Sequence, residues 1–126
     1  MSRLLIADDN VDLRESLKLV LESVGYEVSL APDGTRALEQ QRRAPADVLI
    51  TDIFMPDRDG LETITAFRRE FPATRIVAMS GGGVRVDGAL YLETAEVAGA
   101  DAVLRKPFDP DALLQVLRDL AAARRA

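Results

Sequence analysis

Residues 48–60 read VLITDIFMPDRDG, an apolar run that ends abruptly in a carboxylate. Four residues suited to a buried strand, Val48 to Thr51, are followed directly by Asp52. A Met-Pro pair and two further acids come next, and such residues are typical of a stiff turn. Asp52 is therefore hard to explain as an ordinary surface charge, because it ends a run that should be buried.

Similar apolar runs recur along the chain, and helical patterns separate them. Strands are predicted over residues 3–7, 26–31, 48–51, 75–80 and 102–104. Helices are predicted over residues 10–25, 34–43, 61–71, 89–98 and 110–123. Because parallel strands need crossover connections, this alternation predicts an α/β fold whose parallel sheet carries helices on both faces. The length suits a single domain over residues 1–126.

The composition excludes several kinds of site and partner. The chain has no cysteine and no histidine, so disulfides, thiolate nucleophiles and histidine bases of its own are excluded. Any metal site must therefore use oxygen ligands, which favours Mg²⁺ or Ca²⁺. The formal net charge of −5 is a poor match for a phosphate backbone, so we expect no direct nucleic-acid binding. No run is apolar enough to cross a bilayer and nothing indicates export, so we expect a cytoplasmic protein without membrane contact.

Polar side chains follow four of the five predicted strands. They are Asp8 and Asp9 after the first, Asp52 after the third, Ser80 at the end of the fourth, and Lys106 after the fifth. In a parallel sheet these ends meet at one edge, where ligands bind. Carboxylates this close resist ionisation unless a cation joins them, and Mg²⁺ is favoured because it also recruits phosphate oxygens. With a lysine and a hydroxyl nearby, Asp52 is a candidate nucleophile that forms an acyl phosphate.

Each of these features has an ordinary structural explanation when it is taken alone. An Asp-Asp pair after a strand is often a turn or helix cap, and Ser80 before three glycines is a turn signal. A single lysine is usually a solvated surface residue. The functional interpretation depends on their occurrence together, each at its own strand end and in the right order.

Four segments together resemble the receiver domain of two-component response regulators. They are LLIADDN (residues 4–10), VLITDIFMPDRDG (48–60), IVAMSG (76–81) and GADAVLRKPFD (99–109). The resemblance implies a flavodoxin-like (βα)5 fold, doubly wound, with a five-stranded parallel sheet in the order 2-1-3-4-5. It also implies a phosphorylation-controlled switch that catalyses only its own phosphorylation and dephosphorylation, and so is not an enzyme in the usual sense.

The resemblance also assigns the acceptor and its metal. By it, Asp52 accepts a phosphoryl group from a histidine of a sensor histidine kinase or a histidine phosphotransfer protein. Mg²⁺ is held by Asp8, Asp9, Asp52 and the backbone carbonyl of Phe54, with Asp8 acting largely through water. The absence of histidine from this chain agrees with a donor imidazole on another protein.

The resemblance assigns the switch to the last third of the chain. Lys106 contacts the phosphoryl group, Ser80 reorients to bond it, and Lys106–Pro107 is a cis peptide. The state of residues 80–108 then controls the binding of a downstream protein partner. The family often has an aromatic residue three positions before the lysine, and its ring moves inward on activation. This chain has Val103 there, which argues against such an aromatic switch.

Two other functions fit part of the pattern. A phosphatase of the haloacid-dehalogenase type also uses an aspartyl phosphate, Mg²⁺ and a lysine at strand ends. It generally needs a second aspartate two residues after the nucleophile, where this chain has Phe54. A degenerate receiver would bind partners without phosphate, although every acceptor-site residue is present. We expect a stand-alone receiver, because no output domain follows the last predicted helix; a piece of a longer protein is the alternative.

Overall fold

The computed structural model describes residues 2–53, 60–80 and 99–125. Its strands are β1 (Arg3–Ala7), β2 (Glu27–Ala31), β3 (Val48–Asp52), β4 (Arg75–Ser80) and β5 (Ala102–Arg105). Its helices in these ranges are α1 (Val11–Ser23), α2 (Gly34–Arg43), α3 (Gly60–Glu70) and α4 (Pro110–Arg125). The helix predicted over residues 89–98 lies outside the described residues.

The five strands form one parallel sheet in the order β2-β1-β3-β4-β5. The predicted fold class and the strand order are therefore confirmed. Because all strands run the same way, the ends of β1, β3, β4 and β5 lie at one edge, which we call the C-terminal edge. The edge where the strands begin is called the N-terminal edge.

Alternation along the buried strands divides the core into two layers. Leu5 and Leu49 point to one face and pack with apolar residues of α2 and α3. Leu4 and Ile50 point to the other face and pack with α1 and α4. These strand residues are at most 2% exposed, which fits a sheet covered on both faces. In parallel sheets covered on both faces, ligands bind beyond the carboxyl ends of the strands, so the C-terminal edge is the place to look for a site.

Local capping fixes the bounds of α1. Asn10 begins the helix, because its side chain accepts a hydrogen bond from the amide of Leu13 (3.1 Å). At the other end Gly25 has a φ of 103°, and Tyr26 donates its amide to the Leu21 carbonyl (3.1 Å). This closing turn occupies Tyr26, so β2 begins at Glu27, one residue later than predicted.

Helix α3 starts in contact with the end of β3. The amide of Gly60 donates to the Ile53 carbonyl over 2.7 Å. A Cβ at residue 60 would lie 2.1 Å from the carbonyl oxygen of Asp52 and 2.4 Å from the Cα of Ile53. Only glycine fits this approach, so the identity of residue 60 controls the backbone that carries Asp52. None of the helices in the described ranges is long and apolar enough to span a membrane.

Candidate functional site

Three carboxylates converge at the C-terminal edge. Asp8 and Asp9 follow β1 and Asp52 ends β3, and one oxygen atom from each lies within 4.8 Å of the others. Asp8 is fully buried and Asp52 is 6% exposed, whereas Asp9 is exposed. We call these residues the acidic cluster. The structure thus brings together the three acids that the sequence pattern singled out.

Lys106 faces this cluster from the loop after β5. Its Nζ donates to Oδ2 of Asp8 (2.8 Å) and to Oδ2 of Asp52 (3.2 Å). Burial by itself would lower the pKa of Lys106, but the hydrogen bond to Asp8 and the charges of Asp52 and Asp8 outweigh it. The net result is a raised pKa, so Lys106 is a cation throughout the neutral range.

The acidic cluster has more negative charge than this lysine neutralises. Within the described ranges, Lys106 is an ion-pair partner of two of the three carboxylates, Asp8 and Asp52, and its side chain is 16% exposed. The donor atoms are all carboxylate oxygens, the ligand type that Mg²⁺ prefers. The residues present therefore fit a hard divalent cation, which would relieve the repulsion among the acids.

Asp8 is held in place at every polar atom. Its amide donates to the Ala31 carbonyl (3.1 Å), and its Oδ1 accepts from the amide of Asn10 (2.8 Å). Its Oδ2 accepts from Lys106, and its backbone carbonyl accepts from the guanidinium of Arg14 (2.8 Å). This network fixes the turn from β1 into α1, and with it the start of the acidic cluster.

The remaining predicted positions are placed in part. The Lys106–Pro107 peptide bond is cis, the isomer that the resemblance implies. Val103 lies in β5 opposite Ala78 and packs, half-buried, against the core layer of α2 and α3. β4 reaches the C-terminal edge at Ser80. The side chain of Ser80 and the whole of residue 54 lie outside the part of the chain that the structure describes.

Sequence reasoning missed Arg14. An arginine on an amphipathic helix is an ordinary surface residue in a sequence, and its bond is to a backbone carbonyl, which leaves no partner to recognise. The available signal was its position four residues after the helix cap Asn10, a spacing that places it on the turn facing the end of β1.

Comparison with known proteins identifies the family. The profile described as the response regulator receiver domain matches residues 4–118. The chain belongs to this family. Receivers of this family are phosphorylation switches, and response regulators are phosphorylated by histidine kinases.

The curated relatives are response regulators of about twice this length. Response regulator Rre1 of Synechocystis sp. is 36% identical over 127 residues, which cover 98% of this chain and 53% of the relative. The transcriptional regulatory protein CpxR of Escherichia coli is 34% identical over 118 residues, covering 94% of this chain and 48% of the relative. The chain thus spans about half the length of these relatives. Because the match leaves half of CpxR unaligned, our expectation of no direct nucleic-acid contact by residues 1–126 stays a prediction.

Solved structures agree with the fold. The chemotaxis response regulator CheY4 of Vibrio cholerae superposes with a TM-score of 0.83 at 31% identity. The match covers 94% of this chain and 98% of CheY4. Together with the family assignment, this likeness favours the receiver function over the phosphatase alternative.

Proposed function

We propose that Asp52 is the phosphoacceptor of this receiver and works with Mg²⁺. The observation that supports the proposal is the convergence of three carboxylate oxygens within 4.8 Å, opposed by the ammonium of Lys106. The donor is a histidine of a sensor histidine kinase or of a histidine phosphotransfer protein, since the chain itself has no histidine.

The position of Asp52 suits a nucleophile. Its side chain is 8% exposed and lies at the end of a rigid strand, with Lys106 Nζ 3.2 Å from Oδ2. A carboxylate oxygen of Asp52 forms the new P–O bond while the P–N bond to the donor imidazole breaks. The imidazole leaves with the electron pair of that bond and takes up a proton.

The three residues of the acidic cluster would hold the metal together with one backbone carbonyl. Asp9 and Asp52 would bind Mg²⁺ directly, Asp8 largely through water, and the carbonyl of Phe54 would complete the set. When bound, Mg²⁺ supplies positive charge for the equatorial oxygens of the transferred group. Asp8 keeps Lys106 in the site through its 2.8 Å bond, so this ammonium is already positioned to contact the phosphoryl group.

Phosphorylation changes the partners of Lys106. Once Asp52 carries the phosphoryl group as an acyl phosphate, the negative charge lies further out, on the phosphoryl oxygens, and Lys106 turns towards them. The hydroxyl of Ser80 then bonds the same group, and the resulting state of residues 80–108 controls the binding of a downstream protein. We further propose that residues 1–126 act as one receiver domain in the cytoplasm.

Mass spectrometry after treatment with acetyl phosphate and Mg²⁺ tests the proposal. The wild-type protein should gain one phosphoryl group, and fragment mapping should locate it at Asp52. Asp52→Asn should gain none. Asp119→Asn, which removes an exposed carboxylate from α4, should behave as the wild type.

Other outcomes would change the assignment. A phosphoryl group mapped to a different residue would reject Asp52 as the acceptor. Failure of acetyl phosphate to modify the wild type would favour a degenerate receiver. Steady turnover of a small phosphate ester with Mg²⁺ would favour the phosphatase.

A further inference from the structure

We propose that Arg14 is a positioning residue for the metal site. Its guanidinium holds the peptide group between Asp8 and Asp9, and this sets the direction of the Asp9 carboxylate. The inference rests on the proposed Mg²⁺-dependent function and assigns a role to a helix residue outside the acidic cluster.

The first observation is the contact itself. Nη1 of Arg14 donates to the backbone carbonyl of Asp8 over 2.8 Å. A hydrogen bond from a charged donor is stronger than one between neutral groups, so it restrains its acceptor firmly. Because the peptide unit is planar, a restraint on the Asp8 carbonyl also fixes the amide and Cα of Asp9.

The second observation is that, within the described ranges, no hydrogen bond restrains the side chain of Asp9. Its carboxylate is exposed and accepts no hydrogen bond from residues 2–53, 60–80 or 99–125. Asp8, in contrast, is bonded through both carboxylate oxygens. The position of Asp9 therefore depends on its backbone, and the side chain that holds this backbone from α1 is Arg14.

The third observation is that Arg14 makes no ion pair within the described ranges. It is half-buried, and no carboxylate of the described part of the chain lies within ion-pair distance of it. Its Nε is shielded from solvent and lacks a hydrogen-bond partner among the same residues. Burying an unpaired donor costs stability. The guanidinium thus binds the carbonyl of Asp8 and forms no ion pair with the described carboxylates.

A matched pair of variants tests this role. Arg14→Met removes the donor and keeps an aliphatic stem. Arg36→Met removes the same charge from α2, which also begins at the C-terminal edge. The side chain of Arg36 is exposed and makes no hydrogen bond within the described ranges, so this variant controls for net charge alone.

Calorimetric titration with Mg²⁺, without any phosphodonor, is the first readout. Changes to residues that orient metal ligands typically weaken affinity about 10-fold or more, so we expect about a tenfold higher Kd for Arg14→Met. Arg36→Met should stay within about twofold of the wild type, since charge alone acts weakly at an exposed site. In metal-free protein, the amides of Asp9 and Asn10 should exchange with solvent faster in Arg14→Met than in the control.

Phosphorylation kinetics distinguish a positioning role from a general loss of structure. With acetyl phosphate, Arg14→Met should need more Mg²⁺ for half-maximal rate, yet approach the wild-type rate when Mg²⁺ saturates. If Arg14→Met does not fold, Arg14→Lys replaces it. Lysine keeps the positive charge and one hydrogen-bond donor but has a shorter side chain. The Kd of Arg14→Lys for Mg²⁺ should therefore lie between the wild-type value and a value about ten times higher.

The outcomes distinguish this inference from the function on which it rests. If the wild type binds Mg²⁺ tightly and Arg14→Met has the same Kd, the role of Arg14 is overturned and the proposed function is not. The same holds for Arg14→Lys if that is the variant that folds. Absence of Mg²⁺ binding by the wild type would overturn both. An equal loss of affinity in Arg14→Met and Arg36→Met would reduce the effect to net charge and also overturn the inference.

Discussion

The two edges of the sheet both carry clustered charges, but only one of them balances its charges. At the N-terminal edge, Asp101 accepts from Arg68 (2.8 Å) and from the amide of Ile76 (2.8 Å). It also lies 3.6 Å from the guanidinium of Arg75. At the C-terminal edge, Lys106 pairs with Asp8 and Asp52, whereas Asp9, the third member of the acidic cluster, makes no ion pair within the described ranges.

The difference separates stability from function. Arg68 also donates to the carbonyls of Pro72, Thr74 and Gly99, so the N-terminal edge satisfies its polar groups within the protein. Among the described residues, the acidic cluster has three carboxylates and one paired lysine, and such an excess of negative charge costs folding energy and creates affinity for a cation. We therefore expect substitutions at the two edges to have different effects on stability and on activity.

The largest effect is expected at Gly60. Gly60→Ala would place a Cβ against the backbone of Asp52, which cannot move aside, so we expect a loss of about 3 kcal/mol in unfolding free energy. Gly99→Ala is the counterpart at the N-terminal edge. There φ is 121° and the nearest atoms belong to the Arg68 side chain, at 3.2 Å, so we expect a loss of about 1–2 kcal/mol. Urea denaturation measures both, and a larger loss for Gly99→Ala would contradict this ranking.

Arg68→Met should lower the unfolding free energy without changing the rate of phosphorylation much. It removes the donors to three carbonyls and to Asp101, and we expect a loss of about 2–3 kcal/mol. The rate of phosphorylation by acetyl phosphate should stay within about twofold of the wild type, because the hydrogen bonds of Arg68 lie at the opposite edge of the sheet from the acidic cluster. Arg69→Met, at the exposed neighbouring position, is the control. A large fall in rate for Arg68→Met would show that the two edges are coupled.

An Asp→Asn substitution should change the unfolding free energy in opposite directions at the two edges. Without Mg²⁺, Asp9→Asn relieves repulsion and should raise the unfolding free energy by about 0.5 kcal/mol. Asp101→Asn loses its ion pairs and should lower it by about 1.5 kcal/mol. Added Mg²⁺ should stabilise Asp101→Asn as it does the wild type, but not Asp9→Asn. Destabilisation by Asp9→Asn in metal-free buffer would show that the cluster is not under repulsion.

The smallest effect is expected from pH. Because the folded pKa of Lys106 is raised, its contribution to stability is complete below the pKa of the unfolded chain. That contribution is lost only as pH rises through the higher folded pKa, so neutral conditions leave it unchanged. Lys18 and Lys106 are the lysines of the chain, so ¹³C-methylation gives a simple NMR spectrum. The pKa of Lys106 should be higher in the folded protein than in urea, and this difference should be smaller in Asp52→Asn. The same pKa in the folded protein and in urea would contradict the ion-pair geometry.

The sequence predicted the parts of the molecule that have a periodic or positional signal. Apolar runs that end in Asp8 and Asp52 predicted a parallel sheet and the convergence of these acids. The strand order came from the resemblance, since alternation alone fits several orders. The contacts that Arg14 and Arg68 make with backbone carbonyls carry little signal in the sequence, because every residue has such a carbonyl. Their partners became visible only with the folded backbone.

A crystal structure grown with Mg²⁺ and beryllofluoride tests the central claim most directly. We predict beryllium bonded to a carboxylate oxygen of Asp52, a metal ion ligated by Asp9 and Asp52, and Lys106 Nζ turned from Asp52 towards a fluorine. An unmodified Asp52 at saturating beryllofluoride, or a metal ion bound away from the acidic cluster, would contradict the account.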